Sequence, residues 1–283
     1  MSIEPAAAVA TSATGPHAGA VAGVARIRFD KVSKRFPPQN SGGGGVTAVE
    51  DVTFAIRDGE VVSLIGPSGC GKSILLNMGS GLYLPTEGEV SVDGRRVEGP
   101  NPQVAFMLQK DLLLPWRSIR ENVAFGLEIR GMAAAERRER ATALMHRCRL
   151  KGFEEHYPHQ LSGGMRQRAA LARTLAVNPY VLLLDEPFSA LDAQTKMVLQ
   201  ADLARTLADE RKTALFITHD LIESVALSDR VLVMSQRPGR IVRELIIDLP
   251  GRDDPFSRRQ HPGIIEYANE LTALLDITHQ ELQ

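Results

Sequence analysis

Cysteine is nearly absent from this sequence: 283 residues carry only Cys70 and Cys148. Two thiols do not staple a chain of this length, and Cys70 lies within a glycine-rich loop, so a disulfide-built secreted scaffold is excluded and a reducing cytosol is expected. Excess charge is missing as well. The formal net charge is -1, which removes any global basic field for nucleic acid and leaves recognition to local sites. Long hydrophobic runs are lacking too, none reaching the roughly 18 to 20 residues of a membrane span. The alanine-rich start contains Glu4 and no Lys or Arg before Arg26, so neither an anchor nor a signal peptide is expected. Any part in a membrane process must then run through other subunits, approached from the cytosol.

What is present is an ordinary globular balance, 43% hydrophobic and 24% charged, enough to bury a sizeable core. Residues 1–24 are small and polar without periodicity, and disorder is expected there. A strand over residues 26–32 leads to Phe36, a glycine-rich mobile tip follows at 39–45, and strand-like alternation resumes over 46–56. Short apolar runs at 61–65, 181–184, 214–217 and 231–234 read as buried parallel strands, separated by helical stretches, so the class is α/β. Residues 111–176 are mostly helical, with the charged run 136–140 on a solvated face, and read as a helical subdomain inserted in the α/β core. Beyond Gly263, the spacing of Ile264, Ala268, Leu271 and Leu275 places them on one face of a packing helix. There is no internal repeat.

The run Gly66-Pro67-Ser68-Gly69-Cys70-Gly71-Lys72-Ser73 follows a buried strand and opens an apolar helix, the context a phosphate-binding loop requires. Its glycines let successive backbone N–H groups turn inward, and with the helix N-terminus they can cradle phosphates. Lys72 can reach the β- and γ-phosphates of a nucleotide, and the Ser73 hydroxyl can ligate Mg²⁺. The strand at 181–184 delivers Asp185 and Glu186 at its carboxyl end, where ligands of open parallel sheets gather. Asp185 suits Mg²⁺, often through water, and Glu186 is placed to polarise an attacking water. Either feature alone could be a glycine turn or a solvated acidic turn; together they indicate a P-loop NTPase.

Leu161-Ser162-Gly163-Gly164-Met165 narrows the choice. With that run, followed by a helix and then the acidic strand, the chain resembles the ABC transporter ATPases over nearly all of residues 26–245. The fold implied is a P-loop α/β core with an antiparallel β subdomain and an inserted helical subdomain. The ATPase domain would span 25–250 and a helical tail 251–283. Ser162, Gly163 and Gly164 open a helix, itself an anion-binding feature, so one chain carries two phosphate sites. The resemblance implies that they meet only across a homodimer, the signature of one chain closing on ATP held by the other. It further implies that Phe36 stacks on adenine, that Gln109 touches Mg²⁺ and the attacking water, and that Ser189-Ala190-Leu191-Asp192 crosses the dimer interface. His219 would contact the γ-phosphate. The nucleotide site so implied comprises Phe36, residues 66–74, Gln109, Ser162 to Gly164, Asp185, Asp192 and His219, with Ser73, Gln109 and Asp185 around the metal. Lys72, Gln109, Glu186 and His219 would carry catalysis. The segment Asp111-Leu112-Leu113-Leu114-Pro115-Trp116 could be plain core, but the resemblance implies that it lines a groove receiving a coupling helix of an integral membrane permease.

Two positions depart from the family pattern. Ile74 stands where threonine is usual, which removes one hydroxyl contact to a phosphate, and Met165 replaces the commoner glutamine. Residues 112–117 (LLLPWR), 157–165 (YPHQLSGGM) and 237–241 (RPGRI) are similar to subunits importing nitrate, taurine or aliphatic sulfonates. That branch implies ATP and Mg²⁺ at the site, a separate permease, a periplasmic or extracellular substrate-binding protein, no nucleic acid, and a place on the cytoplasmic face of the cell membrane. A soluble ABC ATPase acting on nucleic acid or the ribosome would carry a coiled-coil insertion or two tandem cassettes, and neither is present. A non-catalytic nucleotide sensor would lack Glu186 or His219. An exporter subunit remains the alternative within the family.

Overall fold

The computed structural model describes residues 25–38 and 45–280. The expected disorder of residues 1–24 and all but Gly45 of the glycine-rich tip expected at 39–45 lie outside them. Two sheets organise the chain. Strands β1 (Ala25–Phe36), β2 (Val46–Arg57), β4 (Glu87–Val92) and β5 (Arg95–Arg96) form an antiparallel sheet in the order β2-β1-β4-β5. The second sheet is built from β3 (Val61–Ile65), β6 (Val104–Met107), β7 (Val181–Asp185), β8 (Thr213–Ile217), β9 (Arg230–Met234) and β10 (Ile241–Ile246), in the order β10-β9-β3-β8-β7-β6. Every pairing in it is parallel except β10 on β9.

Strands β3, β7 and β8 are buried at every residue, because helices or the other sheet cover both faces, and this is why they read as unbroken apolar runs. Alternation still decides what each residue meets. Leu183 of β7 enters a cluster with Phe29 and Ile56 of the antiparallel sheet and Leu75, Leu76 and Met78 of α1 (Lys72–Ser80). Its neighbours Leu182 and Leu184 point the other way, into a cluster with Leu199 and Leu203 of α5 (Ala193–Asp209) and Leu171 of α4 (Gly163–Ala176). Helix α1 is thus held between the two sheets.

The stretch between β6 and β7 holds α2 (Ile119–Ile129), α3 (Ala134–Arg147) and α4, which close on a core of their own that includes Ile119, Val123, Leu127, Met145 and Ala169. Ser118 starts α2 with a capping box, its hydroxyl accepting from Glu121 N while the Glu121 carboxylate accepts from Ser118 N. Helix α4 belongs to both regions: Ala170 and Leu171 lie in the sheet cluster, Ala169, Ala172 and Ala176 in the helical one.

After β8 come α6 (Leu221–Leu227), α7 (Pro255–Arg259) and α8 (Gly263–Gln280). Ile264 and Leu271 of α8 are buried with Val225, Val231, Val233 and Leu245, and Leu275 packs against the same cluster. Buried Arg258 pins the segment by donating to Ser228 O at 2.8 Å and Leu249 O at 2.9 Å. Among the described residues, no helix is long and apolar enough to cross a membrane.

Candidate functional site

Residues 66–73 join β3 to α1 at the carboxyl edge of the parallel strands. Gly71 is the residue before α1, with φ 108°, and no side chain caps the helix there. A Cβ at Gly71 would lie 2.4 Å from Val49 Cγ1 and 3.0 Å from Ala48 O, so both conformation and space demand glycine. The first turn of α1 therefore presents its N–H groups without a competing side-chain acceptor, which suits an anion. Lys72 Nζ rests on the loop's own carbonyls, donating to Gly66 O at 2.7 Å and Pro67 O at 2.8 Å. The Cys70 thiol is buried, which raises its pKa and makes it packing. Ile74 packs on the apolar cluster between the sheets. Phe36 meets Tyr83 edge-on at 6.0 Å, with Lys34 Nζ 5.4 Å from its ring centre.

The 237–239 stretch supports this loop from outside. Arg237 donates to Gly69 O through Nε at 3.2 Å and Nη2 at 3.0 Å. Gly239 N donates to Ala48 O, and Glu50 N to Gly239 O, each at 3.0 Å. The arginine and glycine of RPGRI thus have a local structural task beside the phosphate loop.

Asp185, at the end of β7, is buried and accepts a hydrogen bond from the Ser73 hydroxyl. Burial raises its carboxyl pKa above the usual range; the Ser73 bond and Lys72 oppose this, and the charge of Glu186 adds to it. Glu186 has φ 48°, a left-handed conformation that costs a non-glycine residue on the order of 1 kcal/mol or more. It is held there from both sides. Glu186 N donates to Ile217 O at 3.1 Å, and Glu186 O accepts from Gln167 Nε2 at 2.8 Å and Ser189 Oγ at 3.1 Å. One carboxylate oxygen, Oε2, meets Gln109 Nε2 at 3.2 Å and lies 3.6 Å from His219 Nδ1.

The start of α4 is arranged differently. Ser162 Oγ accepts from Met165 N at 3.3 Å and caps the helix, leaving Ser162 and Gly163 on the surface. Among the described residues, no hydrogen bond or ion pair joins residues 162–164 to 66–73. The helix instead presses on the turn after β7: a Cβ at Gly164 would lie 3.0 Å from Ala190 O, and Gln167 Oε1 accepts from Ala190 N at 2.9 Å. Asp192 caps α5 by accepting from Thr195 N at 2.9 Å, which holds its carboxyl below the usual pKa range.

Lys72, Ser73 and Asp185 thus share one side of the site, and Gln109, Glu186 and His219 the other, while Ser162 and Gly163 face outward. Sequence reasoning passed over Gln167, which ties the strained Glu186 to Ser189 and Ala190. Its signal was available: Gln167 shares a face with Ala170, Leu171 and Thr174, so it is a polar residue on a buried helical stripe, and such a residue must find partners.

Comparison with known proteins identifies the family. Residues 49–189 match the family model described as ABC transporter. The chain is 44% identical over 237 residues to a nitrate import ATP-binding protein of Synechocystis sp., covering 82% of this chain and 89% of that one. It is 44% identical over 208 residues to a taurine import ATP-binding protein of Yersinia pestis, covering 74% and 82%. Among solved structures, a dimeric ATP-binding cassette in a post-hydrolysis state bound to ADP and Pi superposes with a TM-score of 0.72 at 32% identity, covering 78% of this chain and 98% of that one. With a phosphate loop against an acidic strand end, an ABC signature on α4 and relatives matched over most of its length, the chain belongs to the ABC transporter family as one of its ATP-binding, ATP-hydrolysing proteins.

Proposed function

We propose that this chain energises import of a small anion, such as nitrate, taurine or an aliphatic sulfonate. It would work as an ATP-sandwich homodimer beneath a separate permease, on the cytoplasmic face of the cell membrane. A periplasmic or extracellular binding protein would supply the substrate, and nucleic acid has no part. The names of the two import relatives support the anion, and the convergence of Gln109 and His219 on one oxygen of Glu186, beside Asp185 and Ser73, carries the hydrolytic reading.

Residues 66–73 would bind the phosphates through backbone N–H groups, with Lys72 leaving Gly66 and Pro67 to reach the β- and γ-phosphate oxygens. Phe36 would carry the adenine on its ring. Mg²⁺ fits the donors present. A hydroxyl already bonded to a carboxylate is an oxygen-only set, and no group of three His, Cys, Asp or Glu gathers among the described residues, which matches an ion that takes most ligands from phosphate and water. Ser73 and Asp185 would hold it, with Gln109 beside it, and when bound it neutralises charge on the transferred phosphoryl group. Glu186 would accept a hydrogen bond from the attacking water, whose oxygen adds to the γ-phosphorus as the bond to ADP breaks. His219 would bond the γ-phosphate. Ser162 to Gly164 and Asp192 of the second copy would complete the site across the interface.

Permease docking is read at residues 112–116. Trp116 is 71% exposed and Leu112 54%, but Leu113 turns inward to the helical core, so the apolar surface is narrower than residues 112–114 alone suggest. Buried Asn122 holds this loop with four hydrogen bonds, to Leu114 N and to the carbonyls of Leu114, Arg117 and Ser118. Arg166 and Arg173 join Asp111 and Leu112 to α4. A push on Trp116 would therefore reach helix α4, which carries the signature.

The test is Glu186→Gln, which keeps shape and removes the charge. ATP binding should persist, hydrolysis should fall by at least about 100-fold, and an ATP-bound dimer should accumulate. In cells lacking the chain, the parent but not the variant should restore uptake of one of the three anions. Hydrolysis at the parent rate would overturn the role of Glu186; uptake of all three unaffected by loss of the chain would overturn the importer reading.

A further inference from the structure

Outside the nucleotide site, a densely bonded polar cluster is built around the buried carboxylate of Glu223, next to His219 in the chain. Glu223, in the first turn of α6, is 2% exposed, yet its carboxylate receives Lys196 Nζ at 2.6 Å, Gln200 Nε2 at 2.8 Å and the Thr218 hydroxyl. Lys196 also holds Asp220 Oδ2 at 2.8 Å. Asp220 caps α6 through Glu223 N at 2.9 Å, and its own N–H donates to Thr218 Oγ1 at 3.0 Å. Gln200 passes the chain of contacts outward, its Oε1 accepting from Arg259 Nη2 of α7 at 2.8 Å.

The arrangement brackets one residue. Thr218 and Asp220 flank His219, and both are bonded to the Lys196–Glu223 pair, while the His219 side chain is 71% exposed and among the described residues approaches Glu186 at 3.6 Å. Lys196 sits in the first turn of α5, four residues after Asp192, so the pair also ties the start of α5 to the start of α6. Stability does not account for the ions. Glu223 is buried while Lys196 keeps part of its side chain exposed, and such a pair contributes little net stability because desolvation of the carboxylate offsets the attraction, so its use here points to placement. We propose that the Lys196–Glu223 pair is a positioning device for His219, clamping the backbone on both sides of the imidazole and coupling its location to helix α5, which Asp192 caps. This rests on the reading of His219 as a γ-phosphate contact. Catalytic geometry is sensitive at this scale, since misplacement by about 1 Å can cost about 100-fold in rate.

The decisive experiment is a double-mutant cycle on the purified full chain, read as kcat and KM for ATP with thermal melting alongside. Lys196→Met should lower kcat by about tenfold or more and change KM by less than about twofold, and Lys196→Arg should recover most of the loss. In a His219→Ala background the same Lys196→Met change should lower kcat by less than about twofold, because the imidazole it positions is gone. Glu223→Gln, which keeps size and can still accept from Thr218, provides a second variant should Lys196→Met fold poorly, and the same loss of effect in the His219→Ala background is expected. Equal kcat losses in both backgrounds, or a loss that follows KM and melting temperature, would overturn the clamp. If His219→Ala itself left kcat at the parent level, the γ-phosphate reading of His219 would fall instead, whatever Lys196→Met did.

Discussion

Helices α1 and α4 both begin at glycine-rich turns, yet their first turns are finished in opposite ways. Helix α1 starts at Gly71 with no side-chain cap, and the nearby cation, Lys72, rests on carbonyls of the loop. Helix α4 starts at Ser162, whose hydroxyl caps it, and the turn lies exposed. In the proposed cycle the open start would bind phosphate within one chain, and the capped start, complete in itself, would be offered to a second copy. One chain would then keep the site that grips the nucleotide apart from the site that senses it, with dimerisation as the step that joins them.

That contrast can be broken at each end. Lys72→Ala should remove nucleotide binding by the isolated chain, weakening it about 10- to 100-fold by titration, since charge-assisted bonds to phosphate are worth roughly 1.5–3 kcal/mol. Unchanged affinity would mean that α1 is not the gripping end. Ser162→Arg should leave ATP binding by the monomer intact, while hydrolysis stops and ATP no longer drives dimerisation in light scattering under non-hydrolysing conditions. A variant that binds ATP and still dimerises like the parent would show that α4 does not face a second copy's nucleotide. Ile74→Thr should sharpen the contrast mildly. The added hydroxyl should raise ATP affinity roughly two- to tenfold, as one hydrogen bond of about 0.5–1.5 kcal/mol allows, while the packing lost beside α1 lowers the melting temperature.

The fold was legible where burial leaves a continuous mark. Strands β3, β7, β8 and β9 lie within a residue of the apolar runs that predict them, because a parallel strand covered on both faces can carry almost nothing polar. Strand β10 escaped notice because it sits at the sheet edge, where only Leu245 of its six residues is buried. In the candidate site, the phosphate loop and the acidic pair were legible because their chemistry is local to a few consecutive residues. Gln167, Arg237 and Lys196 were not, since each acts on a partner between 19 and 168 positions away. Lys196 has nothing in its immediate neighbourhood to distinguish it from an ordinary solvated face, whereas the place of Gln167 on the buried stripe of α4 marks it as needing partners without saying which.

Helix α4 carries a consequence for how this chain can vary. Four of its alanines are buried, Ala170 toward the sheet and Ala169, Ala172 and Ala176 toward the helical core. A wall shared by two rooms cannot be thickened on one side without intruding on the other, so an added methyl at any of these positions is felt in both. Sequence drift in α4 should therefore be slow and paired, with substitutions on one face tolerated only alongside a change on the opposite one, whereas α2 and α3 can exchange residues within a single core.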